Sequence, residues 1–101
     1  MTKLIKIVKS SNPKKKFDAF FMQDSGREKK TSFGAVRNGK PMDEYTITKD
    51  KEQRDRYRQR HKKDLQTKDP TKAGYLSYYI LWGDSTSVNK NISDYKKRFN
   101  L

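Results

Sequence analysis

Between positions 54 and 63 the chain sets seven basic side chains in ten residues: Arg54, Arg56, Arg58, Arg60, His61, Lys62 and Lys63. Guanidinium forks bind phosphate oxygens two at a time, and lysine adds a mobile point charge. On a helix turning about 100° per residue these groups cannot share one face. Arg54, Arg58 and Lys62 form one row; Arg56, Arg60 and Lys63 lie near another. The rows flank a narrow seam of Tyr57, His61 and Leu65. A helix with bases on both shoulders can lie along a groove and touch the phosphates of both strands. The bland alternative is a solvated helix partly neutralised by Asp50, Glu52, Asp55 and Asp64.

Two further basic groups stand apart from this one. Lys3, Lys6 and Lys9 lead into the triplet Lys14, Lys15 and Lys16, and Lys96, Lys97 and Arg98 close the last helical stretch. Lysines at a turn tip suit non-specific phosphate contact, whereas Lys3 and Lys6 serve equally well as a solubilising, frayed end. Tyr78, Tyr79 and Trp82 are a tempting set for stacking on bases. Their company of Leu76 and Ile80 assigns them to the core instead. His61 is the only histidine and has no cluster of acids or hydroxyls in register. No cysteine is present, so thiolate metal sites and cysteine nucleophiles are excluded. No glycine-rich phosphate loop and no zinc-ligand spacing occurs. The expectation is a protein without catalytic residues, metal or cofactor.

The net charge of +13 comes from 25 Lys and Arg against 12 Asp and Glu in 101 residues. It is unevenly spread: +6 over residues 1–16, zero over 17–48, +5 over 49–68 and +2 over 69–101. Such a balance attracts polyanions and says nothing of fold. Nucleic acid is the expected partner, with duplex DNA favoured and RNA the other candidate. The alternative is an interaction module for an acidic protein, whose basic patch would read identically. The apolar run Tyr75–Trp82 falls far short of the roughly 20 residues of a membrane helix, and Leu4–Val8, interrupted by Lys6, is too short for a signal peptide. No membrane partner and no secretion are expected. Oligomeric state is not legible.

One domain over 1–101, with 1–16 its most easily frayed part, must position these groups. Lys3–Lys9 alternates as a strand, and Phe17–Gln23 is a second one with Phe17, Ala19 and Phe21 on one face. Phe20 then points to the other face, where packing under a helix is expected. Asp24–Arg27 turns the chain, Glu28–Val36 returns it, and Asn38–Pro41 ends that strand. Thr48 is the expected cap of a helix from Lys49 to Gln66, supported by the pairs Asp50–Arg54 and Glu52–Arg56. Asp69-Pro70 predicts the start of an apolar helix reaching Trp82, with Gly83 as its stop. Thr86 or Ser87 caps a last helix over Val88–Phe99, with Ile92, Tyr95 and Phe99 on one face. The fold class is α+β, a small antiparallel sheet of about three strands followed by three helices.

From Thr31 onward the chain also resembles a known family. The residues that carry the resemblance are Ser32-Phe33-Gly34, Asp43-Glu44-Tyr45-Thr46, Lys49-Asp50-Lys51, Arg54, Tyr57 and Arg60-His61-Lys62-Lys63. Asp69-Pro70-Thr71, Ala73–Ser77, Ile80-Leu81-Trp82 and Ile92–Phe99 follow in the same order. The family is a domain of unknown function in small basic proteins of giant nucleocytoplasmic large DNA viruses. Two places depart from it. Leu65–Lys68 stands where an acidic–aromatic pair is common, and Ser85-Thr86-Ser87 where a proline starts the last helix. The resemblance implies a virus-encoded protein that organises or packages a genome, found in the virion or in the factory within the host cytoplasm or nucleus. It brings no activity.

Overall fold

The computed structural model describes residues 2–37, 39–41 and 44–101; Asn38 and Asp43, both named above, lie outside the described residues. Strands β1 (Lys3–Lys9), β2 (Lys15–Met22) and β3 (Glu28–Arg37) pair antiparallel in sequence order, and a two-residue β4 (Lys40–Pro41) adds to β3. Helical elements follow: α1 (Tyr45–Thr48), α2 (Lys51–His61), a 3₁₀ segment Lys62–Thr67, α3 (Ala73–Leu76) running into a π-helical turn Ser77–Leu81, and α4 (Val88–Arg98). The α+β class and the meander are as the alternating pattern implies.

The sheet is covered on one side only. Ala19, Phe21 and Phe33 are buried there with Leu4, beneath Leu76, Ile80 and Leu81 of the central helix and Tyr95 of α4. Phe17 packs on Phe33 across the β2–β3 ladder, ring centroids 5.7 Å apart. Gly34 has φ +84°, and a Cβ there would stand 2.8 Å from Lys16 Cβ and 3.1 Å from Leu81 Cδ1. Glycine at this place lets the helical layer approach β3.

Several boundaries differ from expectation, each for a local reason. Thr48 ends α1 rather than capping α2. The cap is Asp50, whose carboxylate accepts from Gln53 N at 3.1 Å. The helix does not continue to Gln66, because it tightens to 3₁₀ at Lys62 and ends at Lys68 in the left-handed region. Asp69 caps a turn and not a helix: it accepts from Thr71 N and Oγ1, and Lys72 N closes back on Asp69 O. Thr31 Oγ1 and Lys29 Nζ bind Thr71 in turn, so β3 holds Pro70–Lys72 out of helical geometry and α3 begins at Ala73. Gly83 is required by space and not by a left-handed φ. A Cβ there would stand 2.2 Å from the Tyr79 carbonyl oxygen and 2.8 Å from the Asn91 side chain. Asn91, buried, holds that corner by donating to the Ile80 and Ser85 carbonyls. Ser87 caps α4 as expected.

Phe20 corrects a further expectation. The helices all lie on the other face, so it packs under none of them and stays half-buried beneath the Lys6 ammonium, 5.0 Å from the ring centroid.

Candidate nucleic-acid interface

α2 carries four arginines at alternate positions, and the fold sorts them into two kinds. Tyr57 faces the core and stacks flat on Trp82, with ring centroids 4.2 Å apart and planes 6° apart. His61 stacks on the other side of Tyr57 at 4.2 Å, and its Nδ1 meets Asp64 Oδ2 at 3.1 Å. Burial first, then the Asp64 charge, pushes the Tyr57 phenol up to about 12. This stack fixes the rotation of α2, and everything else on the helix follows from it.

One turn to one side, Arg54 and Arg58 point back to the molecule. Arg58 Nε donates to the Trp82 carbonyl at 2.8 Å, and its Nη2 meets Asp84 at 3.0 Å. Arg54 reaches the Gly83 carbonyl at 3.4 Å and Asp55 at 3.1 Å. Each guanidinium also lies over a tyrosine ring, Arg54 on Tyr45 at 4.9 Å and Arg58 on Tyr78 at 5.4 Å. These arginines satisfy the carbonyls where the central helix ends at Trp82 and Gly83. They are half-buried parts of the scaffold, not the exposed row expected with Lys62. The expected Asp50–Arg54 and Glu52–Arg56 pairs are not among the ion pairs of the described residues, since Asp50 is spent on the cap.

On the other side Arg56 and Arg60 are exposed, and Lys62 and Lys63 are exposed just beyond them. Three of the four acids that could have neutralised them are engaged elsewhere, Asp50 on Gln53 N, Asp55 on Arg54 and Asp64 on His61, while Glu52 is exposed in the first turn of α2. Arg60 and His61 border a cleft of about 410 Å³ whose wall includes Gly34, Gln53, Tyr57 and Trp82.

The remaining basic groups fall in two other places. Lys14 and Lys15 are exposed around the β1–β2 turn, while Lys16 is paired with the buried Glu44 and lies over Phe17. Lys96, Lys97 and Arg98 are exposed in the last turn of α4, with Arg98 over Tyr79 at 5.0 Å. Leu4 N donates to the Leu101 carbonyl, which sets the end of the chain beside the start of β1. The turn lysines are thus a strand's length from the α4 lysines, about 20 Å away. The twelve expected phosphate-binding residues fall in three regions, and these meet at two points: Arg58 and Arg98 line one small pocket, and Lys16 pairs with Glu44 on the wall of the cleft that Arg60 borders. Among the described residues no cluster of three or more His, Cys, Asp or Glu could hold a metal ion. No helix among the described residues is long and apolar enough to cross a membrane.

The residues that sequence reasoning passed over lie on the uncovered sheet face: Ile5, Val8, Met22 and Lys30 beside Phe20. A signal existed, because β2 is apolar at Phe20 and Met22 as well as at Phe17, Ala19 and Phe21.

A basic three-strand α+β protein with a helical layer on one sheet face is the class this geometry defines. The chain belongs to the DUF5754 family, a family of unknown function, which it matches over residues 5–61. That span runs from β1 to the end of α2, so it includes the strands before Thr31 and stops short of Asp69-Pro70 and the later stretches named above. No curated protein and no solved structure matches the chain.

Proposed function

We propose that this protein binds nucleic acid through its phosphates without strong sequence preference, duplex DNA being the favoured target, and that it organises or packages the genome of a large DNA virus. The observation that carries the reading is the outer shoulder of α2. Arg56, Arg60, Lys62 and Lys63 are exposed while three of the four neighbouring acids are occupied with capping Gln53 N and pairing Arg54 and His61. The bland reading needed those acids to neutralise this surface. An excess of 13 positive charges over 101 residues adds the long-range attraction. Lys14 and Lys15, and Lys96, Lys97 and Arg98, widen the contact to other phosphates and suit wrapping or bridging of DNA more than docking in a single groove. The viral role rests on the family resemblance alone.

Titration of labelled duplex DNA at several salt concentrations tests it. With about 5–8 phosphates contacted, the slope of log K against log salt should be on the order of −4 to −7. A flat response, or polyglutamate competing as well as DNA at equal charge, would overturn the reading in favour of an acidic protein partner.

A further inference from the structure

An antiparallel sheet with one solvated face ordinarily shows polar side chains there. Here the uncovered face carries Val8, 41% exposed, Met22, 37% exposed, and Ile5, 49% exposed, around the half-buried Phe20. The pairing register makes a small grid of this face. Lys3, Met22 and Glu28 form one row; Lys6, Phe20 and Lys30 the next; Val8, Asp18 and Ser32 the third. Ile5 is the extra residue of a bulge between Leu4 and Lys6, so the Phe20 row gains a second apolar group. The central aromatic therefore stands between two lysines on the neighbouring strands.

The charge on this face is mainly positive, three lysines against Asp18 and Glu28. Asp18 stands on this face in the third row, where it is covered by the Ser10 and Ser32 hydroxyls, which bind its carboxylate at 2.7 and 2.6 Å, and by Ser11 N, which adds a third bond at 3.2 Å. Glu28 stands at one corner of the grid, and Lys3, Lys6 and Lys30 are all exposed. A second copy of the chain would bring these lysines against their own kind. An aromatic ring with aliphatic neighbours and a cationic border is instead complementary to unpaired nucleotides, which offer apolar flat bases and anionic phosphates together. Duplex DNA hides its bases and cannot use Phe20.

We propose that the uncovered sheet face is a platform for single-stranded nucleic acid. A base lies on Phe20 with Ile5, Val8 and Met22 beside it, and Lys3, Lys6 and Lys30 bind the flanking phosphates. Lys6, now over the Phe20 ring, has the flexible stem needed to swing onto a phosphate as a base replaces it. The helical layer, with α2, lies on the opposite face, so the two surfaces work independently. This inference rests on the nucleic-acid reading but not on the α2 site.

Fluorescence anisotropy with a short labelled oligothymidine and a labelled hairpin duplex tests it. Phe20→Leu keeps the apolar bulk and removes the ring. It should weaken oligothymidine binding about tenfold and leave the duplex affinity unchanged. Lys6→Gln with Lys30→Gln, both at exposed positions, should weaken oligothymidine binding and flatten its salt dependence even if Phe20→Leu fails to fold. Folded variants of both kinds that bind oligothymidine like the wild type would overturn the platform while leaving duplex binding standing. If the wild type binds neither nucleic acid, both readings fall. A concentration-dependent dimer broken by Val8→Asp would assign the face to a second copy and overturn the platform.

Discussion

The two shoulders of α2 have the same composition and opposite duties. Arg54 and Arg58 reach inward to the Gly83 and Trp82 carbonyls; Arg56 and Arg60, two residues along from each, reach into solvent. The difference arises from one contact, the flat stack of Tyr57 on Trp82, which decides which way the helix is turned. An arginine count therefore says little about binding. The informative quantity is how many guanidiniums remain after the scaffold has used those it needs.

The comparison breaks most completely at its hinge. Trp82 is 7% exposed and carries both the Tyr57 stack and the carbonyl that Arg58 caps. Trp82→Ala should cost about 3–5 kcal/mol, a large share of what a small domain has. Both shoulders should be lost together, seen as a collapse of Tm and of near-ultraviolet dichroism. A folded Trp82→Ala protein with unaltered duplex binding would show that the stack does not set the rotation of α2.

The shoulders themselves should separate cleanly. Arg58→Gln removes a charge-assisted bond to the Trp82 carbonyl and should cost about 1–3 kcal/mol, read by denaturant unfolding. Its effect on duplex affinity in the folded protein should be slight. The triple variant Arg56→Gln, Arg60→Gln and Lys63→Gln should shift stability by no more than about 0.5 kcal/mol per site. It should make the salt slope of duplex binding shallower by about two to three units. The reverse pattern, with stability lost in the triple variant and binding lost in Arg58→Gln, would exchange the assignments.

What could be read beforehand divides along the same line. The strands were legible, because alternation at Phe17, Ala19 and Phe21 depends only on neighbours in sequence. The α4 cap at Ser87 and its Ile92–Tyr95–Phe99 face were legible for the same reason. The start of α3 was not, since Asp69-Pro70 is a sound local helix signal that Lys29 and Thr31 override from β3. The π-helical widening at Ser77–Leu81 has no sequence signature here either. The fate of Arg54 and Arg58 was hidden too, because their acceptors are 24 or more residues away. Of the candidate site, the α2 cluster was visible as a cluster, but its division into scaffold and surface was not. The apolar open face was visible in β2 and was absorbed into an expected helical cover that the helices, all on one side, do not provide.

The smallest expected effect sharpens the contrast between interactions that titrate and those that do not. The Ser10 and Ser32 hydroxyls, then Ser11 N and the Lys30 charge, hold the Asp18 carboxyl below its ordinary range. The Thr71 hydroxyl does the same for Asp69. A carboxyl whose pKa is lowered on folding contributes stability that is fully present above its unfolded pKa, and this is lost as pH falls through the folded one. The wild-type Tm should therefore be steady near neutrality and decline below about pH 4. Asp18→Asn should start lower at neutral pH and decline less steeply in acid, with Asp69 supplying the remainder of the slope. Arg58→Gln should start lower as well yet keep most of the wild-type slope, because its bond to the Trp82 carbonyl oxygen involves no group that titrates in this range and its ion pair with the exposed Asp84 contributes little. Thermal melts of the three proteins between pH 7 and pH 3 make the comparison. Parallel curves for wild type and Asp18→Asn would mean that the Asp18 carboxylate contributes nothing to the β1–β2 corner, and that its hydroxyl bonds merely replace those to water.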